Sequence, residues 1–300
     1  MKIPFSLRLL LLLGTASLTI LADPPPAARP PAARPLRVLL VSGGCCNDYR
    51  SQRAILKQGL EARANLVIDQ SFSDDATTKP RLPILGNPDY AKGYDLVIHD
   101  ECAADISDPA IIEGVLKPHR DGIPGVNLHC AIHSYRIGPP IAPVTFGTPH
   151  ALWFEYLGLQ SSGHGPLIPI DISYTDRTTG IAVGLTNWTT IYEEQYYNTR
   201  RFDTALVIAR GTQTIKRNDG SENINDFAIA WTNEYGLKKT RVFSLSLGRD
   251  DNTVTDPRYL DLVARGVLWA TGHLDNDGSA AAGYGPPEKW PGRETFKDPL

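Results

Sequence analysis

The stretch "LRVLLVSGG", Leu36 to Gly44, constrains the fold more than any other part of the chain. A continuous run of branched apolar side chains has no polar face, so the strand it forms must be covered on both sides, as in a parallel sheet packed between helices. The two glycines at its end call for a tight turn at the carboxyl end of that strand. An amphipathic segment from about Tyr49 to Ala62 follows, with Ile55, Leu56 and Leu60 on one side. "ANLVIDQ" and "YDLVIHDE" then read as second and third strands. Ser107 to His119 predicts another helix, with Asp108 as N-cap and Pro109 in the first turn, and "GVNLHC" is the next strand. This alternation gives an α/β fold with a mostly parallel central sheet and helices on both faces. Active groups in such sheets gather beyond the carboxyl ends of strands, and Cys45, His99, Glu101, His129 and Cys130 all lie at or near such ends.

The second half is less regular. "HALWFEYLGL", His150 to Leu159, reads as a helix, "LIPIDISY" and "DTALVIAR" read as strands, and "DFAIAWTNEYG" with "RVFSLSLGRD" predicts a hairpin turning around Asn233 to Lys239. A last helix runs from Pro257 to about Gly272. One α/β domain over residues 36–274 accounts for these elements.

Ahead of it, Lys2 and Arg8 precede the short apolar run Leu9 to Ala22, the pattern of a signal peptide over residues 1–22, with an uncleaved anchor as the alternative. Residues 23–35 form a stiff Pro/Ala-rich linker, and residues 275–300 an extended tail rich in glycine and proline. This makes the protein periplasmic or secreted, with no stable membrane span after cleavage. The 300 residues carry 30 basic and 33 acidic side chains, a net charge of −3, with no basic run or Arg/Lys-aromatic interleaving, which argues against a nucleic-acid partner. The four cysteines have no CxxC spacing and are too few for a disulfide framework. One bridge from the Cys45/Cys46 turn to Cys102 or Cys130 is open, since adjacent cysteines join only through a strained ring.

Several polar clusters carry candidate chemistry. "SGGCCNDYR" lacks both GxGxxG and GxxxxGK[ST], which disfavours dinucleotide or nucleoside-triphosphate binding. Asp48 stands where a carboxylate either caps a helix or faces a substrate. His99 and Glu101 fall on one side of a strand and Asp100 on the other, with structural and site roles equally open. In "VNLHCAIHSYR", His129 and His133 share a face only if helix begins at once, and HxxxH lacks the glutamate of HExxH. Cys130 is a candidate nucleophile with either histidine as base, although strand neighbours point apart unless the chain bends. His164 in "SSGHGPL" has glycine on both sides, which lets backbone approach a ligand. "YEEQYY", Tyr192 to Tyr197, suits ring stacking and hydroxyl hydrogen bonding with a sugar. The plain alternatives are a core hydrogen-bonding role for His129 and His133, a surface turn for His164 and two solvated loop glutamates for "YEEQYY".

Taken in order, "VLLVSGG", "YDLVIHDE", "GVNLHCAIHS", "SSGHGP", "YEEQY", "AWTNEYGLKKTRVFSLSLGRD" and "VARGVLWATGH" resemble the motifs of ThuA-like, or trehalose-utilisation-like, domains of the class I glutamine amidotransferase-like superfamily. The resemblance spans about Leu36 to His273. It implies a flavodoxin-like three-layer sandwich and an association with carbohydrate metabolism. Amidotransferases of the superfamily carry a cysteine nucleophile on a sharp turn. "NLHCA" puts His129 there with Cys130 one residue late, so glutamine hydrolysis is not expected.

By resemblance, His129, His164 and Glu194 are the catalytic groups, and Asp48, His133, Glu193, Tyr196 and Arg249 are substrate-binding. A divalent metal on His129, His164 and Glu194 is left open. Three positions depart from the family pattern: Asn47 and Arg249 where histidines are usual, and Glu193 in place of aspartate. The expectation is an exported enzyme acting on a small glycoside or oxidised, 3-keto sugar by hydrolysis or elimination, with a small carbohydrate as partner and homo-oligomerisation open. The rival readings are a non-catalytic carbohydrate-binding module and a Cys130-dependent hydrolase.

Overall fold

A computed structural model describes residues 33–286. The expected signal peptide, nearly all of the expected linker and the last part of the tail lie outside the described residues. The chain runs β1 (Leu36–Gly44), α1 (Tyr49–Glu61), β2 (Leu66–Ser73), β3 (Leu96–Cys102), α2 (Pro109–Arg120), β4 (Gly125–Leu128), α3 (Leu152–Leu157), β5 (Leu159–Ile168), β6 (Asp171–Tyr174), β7 (Trp188–Thr189), β8 (Glu193–Arg201), β9 (Ala205–Lys216), β10 (Glu222–Tyr235), β11 (Thr240–Leu245), α4 (Asp251–Val254) and α5 (Pro257–Ala270). The main sheet has the order β2-β1-β3-β4-β11-β10-β9-β6-β7. Its first five strands are parallel, in the 2-1-3-4-5 arrangement of flavodoxin-like sheets. The remaining pairings are antiparallel, beginning with the expected β10–β11 hairpin.

Burial of both sheet faces explains the apolar run of β1. Val38 and Leu40 pack with Leu56 and Leu60 of α1 and Val263 and Val267 of α5. Leu39 and Val41 pack on the other face with Ile112 and Leu116 of α2 and Trp153 and Phe154 of α3. Three layers result. Asp48, Asp108 and Asp256 accept hydrogen bonds from backbone amides at the starts of α1, α2 and α5. At the end of β1, Gly44 has φ of +103°, and a Cβ there would stand 2.2 Å from the Cys102 carbonyl oxygen. Only glycine fits.

The predicted helix over His150–Leu159 is shorter than its pattern. A 3-10 turn precedes α3, and Gly158 ends it in the left-handed conformation, freeing Leu159 to begin β5. "SSGHGP" and "YEEQYY" are not loops: they pair as the two-stranded ribbon β5–β8. Beyond α5 the chain folds back over the core, where Leu274 bridges Ala280 and the carbonyl of Tyr284 accepts from the Asn65 amide. Among the described residues no helix is long and apolar enough to cross a membrane.

Candidate active site

The parallel strands β1, β3, β4 and β11 all point their carboxyl ends the same way, and the segments that leave them surround one cavity of about 570 Å³. That size lies in the usual range for small-molecule sites. Cys45 and Cys46 follow β1, Cys102 ends β3, His129 to Arg136 follow β4, and Arg249 follows β11. The β5–β8 ribbon closes the cavity with His164, Glu194 and Tyr196.

The ribbon explains why two adjacent glutamates differ. Strand alternation sends Glu194 and Tyr196 to the cavity, and Glu193 and Gln195 inward, where both are fully buried. Register shifts on either side of His164 interrupt the regular pairing of β5. His164 keeps an exposed imidazole that reaches Glu194, with Nδ1 3.7 Å from Oε2.

His129 occupies the elbow after β4 with φ of +40°, a region that non-glycine residues seldom visit. A 3-10 turn, His129–His133, follows directly. The His129 Nδ1 lies 2.9 Å from the Ser246 carbonyl, which requires that nitrogen to carry the proton. Burial, foremost, holds the imidazole neutral, with its pKa lowered to about 3. Nε2 therefore presents a lone pair, 3.6 Å from Glu194 Oε2. Glu194 Oε1 accepts from Arg249 Nε at 3.0 Å. One carboxylate is thus flanked by two imidazoles and fixed by a guanidinium.

The surrounding side chains hold this arrangement. Tyr196 stacks on His133 with ring centroids 3.9 Å apart, and also neighbours His129 and His164. His133 Nε2 is 2.8 Å from the Ser161 hydroxyl. Asn47, with its amide turned to donate to the carbonyls of Cys46 and Arg249, lies beside Arg249. The two positions that depart from the family's histidines are therefore spatial neighbours.

Three expectations need correction. Asp48 does not line the cavity: its carboxylate caps α1 by accepting from the Ser51 amide, and it borders a separate cleft. Glu193 does not line it either. Glu193 accepts from the backbone amides of Gly248 and Arg249 at 2.9 and 3.1 Å, and from that of Glu194. It clamps the β11 exit loop against the ribbon. Cys130 is not a thiol, since it is bonded to Cys102, and Cys45 to Cys46. Parallel pairing places the ends of β3 and β4 side by side, bringing the Cys102 and Cys130 Cα atoms to 5.0 Å. This removes the Cys130-dependent hydrolase. Iodoacetamide should therefore add no mass to denatured, unreduced protein and four carbamidomethyl groups after reduction; alkylation without reductant would contradict the pairing.

His129 and His164 each turn Nδ1–H to a backbone carbonyl, Ser246 at 2.9 Å and Gly165 at 3.0 Å, which leaves both Nε2 atoms as the free donors to a divalent metal beside Glu194. Arg249 already supplies positive charge to Glu194. Among the described residues, three or more His, Cys, Asp or Glu ligand atoms lie within 4.8 Å of one another only at Cys45, Cys46 and Cys102, whose sulfurs are engaged in disulfides.

His99 and Glu101 share a side of β3 as alternation requires, but they form a buried network beneath the cavity. His99 Nδ1 is 2.8 Å and the Tyr135 hydroxyl 2.8 Å from Glu101 Oε1, and His99 Nε2 is 3.1 Å from His119 Nε2. Asp100 turns to Ser42, and burial pushes it well above the usual carboxylate range.

These groups set an acid limit on stability. Burial lowers His119 and His129 to about 3 and His133 well below 6.5. Below pH 6.5 the unfolded chain thus binds protons that the folded chain refuses, and stability falls. Glu193, raised by burial from 4.5 to about 7, and Asp100 act the opposite way until the unfolded carboxyls protonate. Three histidines outweigh two carboxyls by one proton, so the expected melting temperature declines gently from pH 6.5 to 4.5 and drops steeply toward pH 3. Circular dichroism melts at pH 6, 5 and 3.5 check this, and an unchanged melt at pH 3.5 would contradict it.

Arg136 is the charged cavity residue that sequence reasoning missed. It stands three positions after His133 at the end of "VNLHCAIHSYR", a signal that was present but masked by the neighbouring cysteine and histidines.

The family model described as trehalose utilisation, ThuA, matches residues 37–270. The structure is similar to a ThuA-like protein from Parabacteroides merdae ATCC 43184, at 16% identity and a TM-score of 0.58, covering 85% of this chain and 98% of that one. It is also similar to a ThuA-like protein from Bacteroides uniformis ATCC 8492, at 15% identity and a TM-score of 0.54, covering 80% and 93%. At such identities the likeness is one of fold. No curated protein matches the chain. With the matched region running from β1 to the end of α5, and the elbow, ribbon and exit loop meeting at one cavity, the chain belongs to the ThuA family.

Proposed function

We propose that the protein is an exported carbohydrate-processing enzyme that breaks a glycosidic bond in a small glycoside or its 3-keto form, by hydrolysis or elimination. The observation that carries this reading is the position of Glu194 Oε2, 3.6 Å from the His129 lone pair and 3.7 Å from His164 on the wall of the cavity. A carboxylate between two imidazoles has the parts for moving a proton off one substrate atom and onto another. Glu194, backed by His129, accepts a proton from water or from a carbon beside a ketone. His164, at the open side, donates one to the departing oxygen from its imidazolium form. Arg249 holds the carboxylate in place, and the buried Tyr196–His133 stack backs the wall behind His129 and His164. The family's description as trehalose utilisation supports the substrate class. The two disulfides support export, because such bonds persist in oxidising compartments.

The test is turnover by the mature protein of trehalose, other small glycosides and their 3-keto forms, with product detected by chromatography. Glycosidic cleavage that His129→Ala removes supports the reading, and no cleavage of any of them overturns it. One observation favours a second reading, a carbohydrate-binding module: burial holds His129 neutral to about pH 3, which makes it a weak base. In that case calorimetry detects sugar binding, no glycoside is cleaved, and His129→Ala leaves affinity nearly unchanged.

A further inference from the structure

The charge balance of the cavity is incomplete at one place. Arg249 and Glu194 neutralise one another through the 3.0 Å contact. Arg136 has no such partner: among the described residues no carboxylate lies within 4 Å of its guanidinium, and its side chain makes no hydrogen bond to protein. Asp105, the acidic side chain that lines the neighbouring space, is engaged by the Thr78 hydroxyl at 2.6 Å. Burial lowers Arg136 below its usual value although Tyr196 and Asp105 act the other way from a distance, the mark of a cation partly stripped of water without a bonded counter-charge.

The position is built and not accidental. Ser134 accepts from the Ala103 amide at 2.8 Å and donates to the Glu101 carbonyl at 2.9 Å, and the Tyr135 amide donates to the Ala103 carbonyl at 3.1 Å. The Tyr135 hydroxyl is anchored on Glu101. The two residues before Arg136 are thus pinned to the end of β3. Arg136 itself borders both the His129/Glu194 cavity and an adjoining one of about 360 Å³ that Lys79 also lines.

We propose that Arg136 is a subsite for a carboxylate carried by the sugar, so that the preferred ligands are acidic sugars of the uronic or aldonic kind. The guanidinium fork matches a planar carboxylate in two parallel hydrogen bonds. Such a ligand places its anion on Arg136 and its ring in the cavity toward His164 and Glu194. The assignment rests on the reading of the cavity as a carbohydrate site and narrows its substrate class.

Isothermal titration calorimetry of the mature protein with a matched pair, methyl glucoside and methyl glucuronide, tests it, with glucose 6-sulfate as a tetrahedral-anion arm. The glucuronide is expected to bind at least tenfold tighter than the glucoside. Arg136→Gln should abolish that preference, Arg136→Lys should restore part of it, and added salt should weaken it. Because the Arg136 side chain bonds to no other group, both variants should melt with the parent. Equal affinity for glucoside and glucuronide, or a preference that Arg136→Gln leaves intact, overturns the carboxylate subsite while the carbohydrate reading stands. A sulfate preference over the glucuronide overturns the carboxylate in favour of a tetrahedral anion. Binding of none of the three overturns the subsite together with the carbohydrate reading on which it rests.

Discussion

Replacing Glu194 with glutamine should lower turnover of whatever glycoside the protein cleaves by about 10³-fold, within the range for loss of a positioned acid or base, while leaving sugar affinity within a few-fold. The substitution keeps the shape of the side chain and one oxygen for Arg249, so the cavity survives. It removes the charge that faces the His129 lone pair and His164. A rate constant that falls with little change in KM would mark a group acting in the transition state. Turnover unchanged in Glu194→Gln would remove the carboxylate from the mechanism.

The largest stability effect should come from its neighbour. Glu193→Leu should destabilise the fold by about 3 kcal/mol, because it strips the acceptor from the buried backbone amides of Gly248, Arg249 and Glu194, and orphaned buried donors cost roughly 1–3 kcal/mol each without adding in full. Urea unfolding measures this. Glu193→Gln should cost less, since it keeps an oxygen for the clamp and carries no charge to desolvate in a place where burial raises the acid to about 7. If the leucine variant lost under about 1 kcal/mol, the loop after β11 would be held by something other than Glu193.

The comparison of these two glutamates shows where the sequence was informative. The parallel half of the sheet was legible because a strand buried on both faces writes a continuous apolar run, and caps such as Asp108 announce the helices. His129, His164, Glu194, Tyr196, His133 and Arg249 were legible as a group through family resemblance, and they line one cavity. Their individual roles were not. "YEEQYY" carries no periodicity long enough to reveal a strand, so nothing distinguished the glutamate that turns inward from the one that faces the cavity. Asp48 satisfied both a cap and a site pattern, and only its distance from the cavity decides between them. The cysteines depended on β3 lying beside β4, a long-range pairing that spacing does not encode. Arg136 was hidden because a lone arginine has no pattern of its own; its meaning comes from the absence of a carboxylate bonded to it.

The central claim is that His129, Glu194 and His164 act together on a sugar held in the cavity at the strand ends. A crystal structure of the Glu194→Gln protein with a bound glycoside tests it most directly. The expected result is a sugar ring lying in the cavity beside His164, with its glycosidic oxygen or adjoining carbon within about 3.5 Å of the residue 194 side chain and a polar contact to His129 or His164. A sugar bound elsewhere, or one in the cavity with no ring atom near residue 194, would contradict the account.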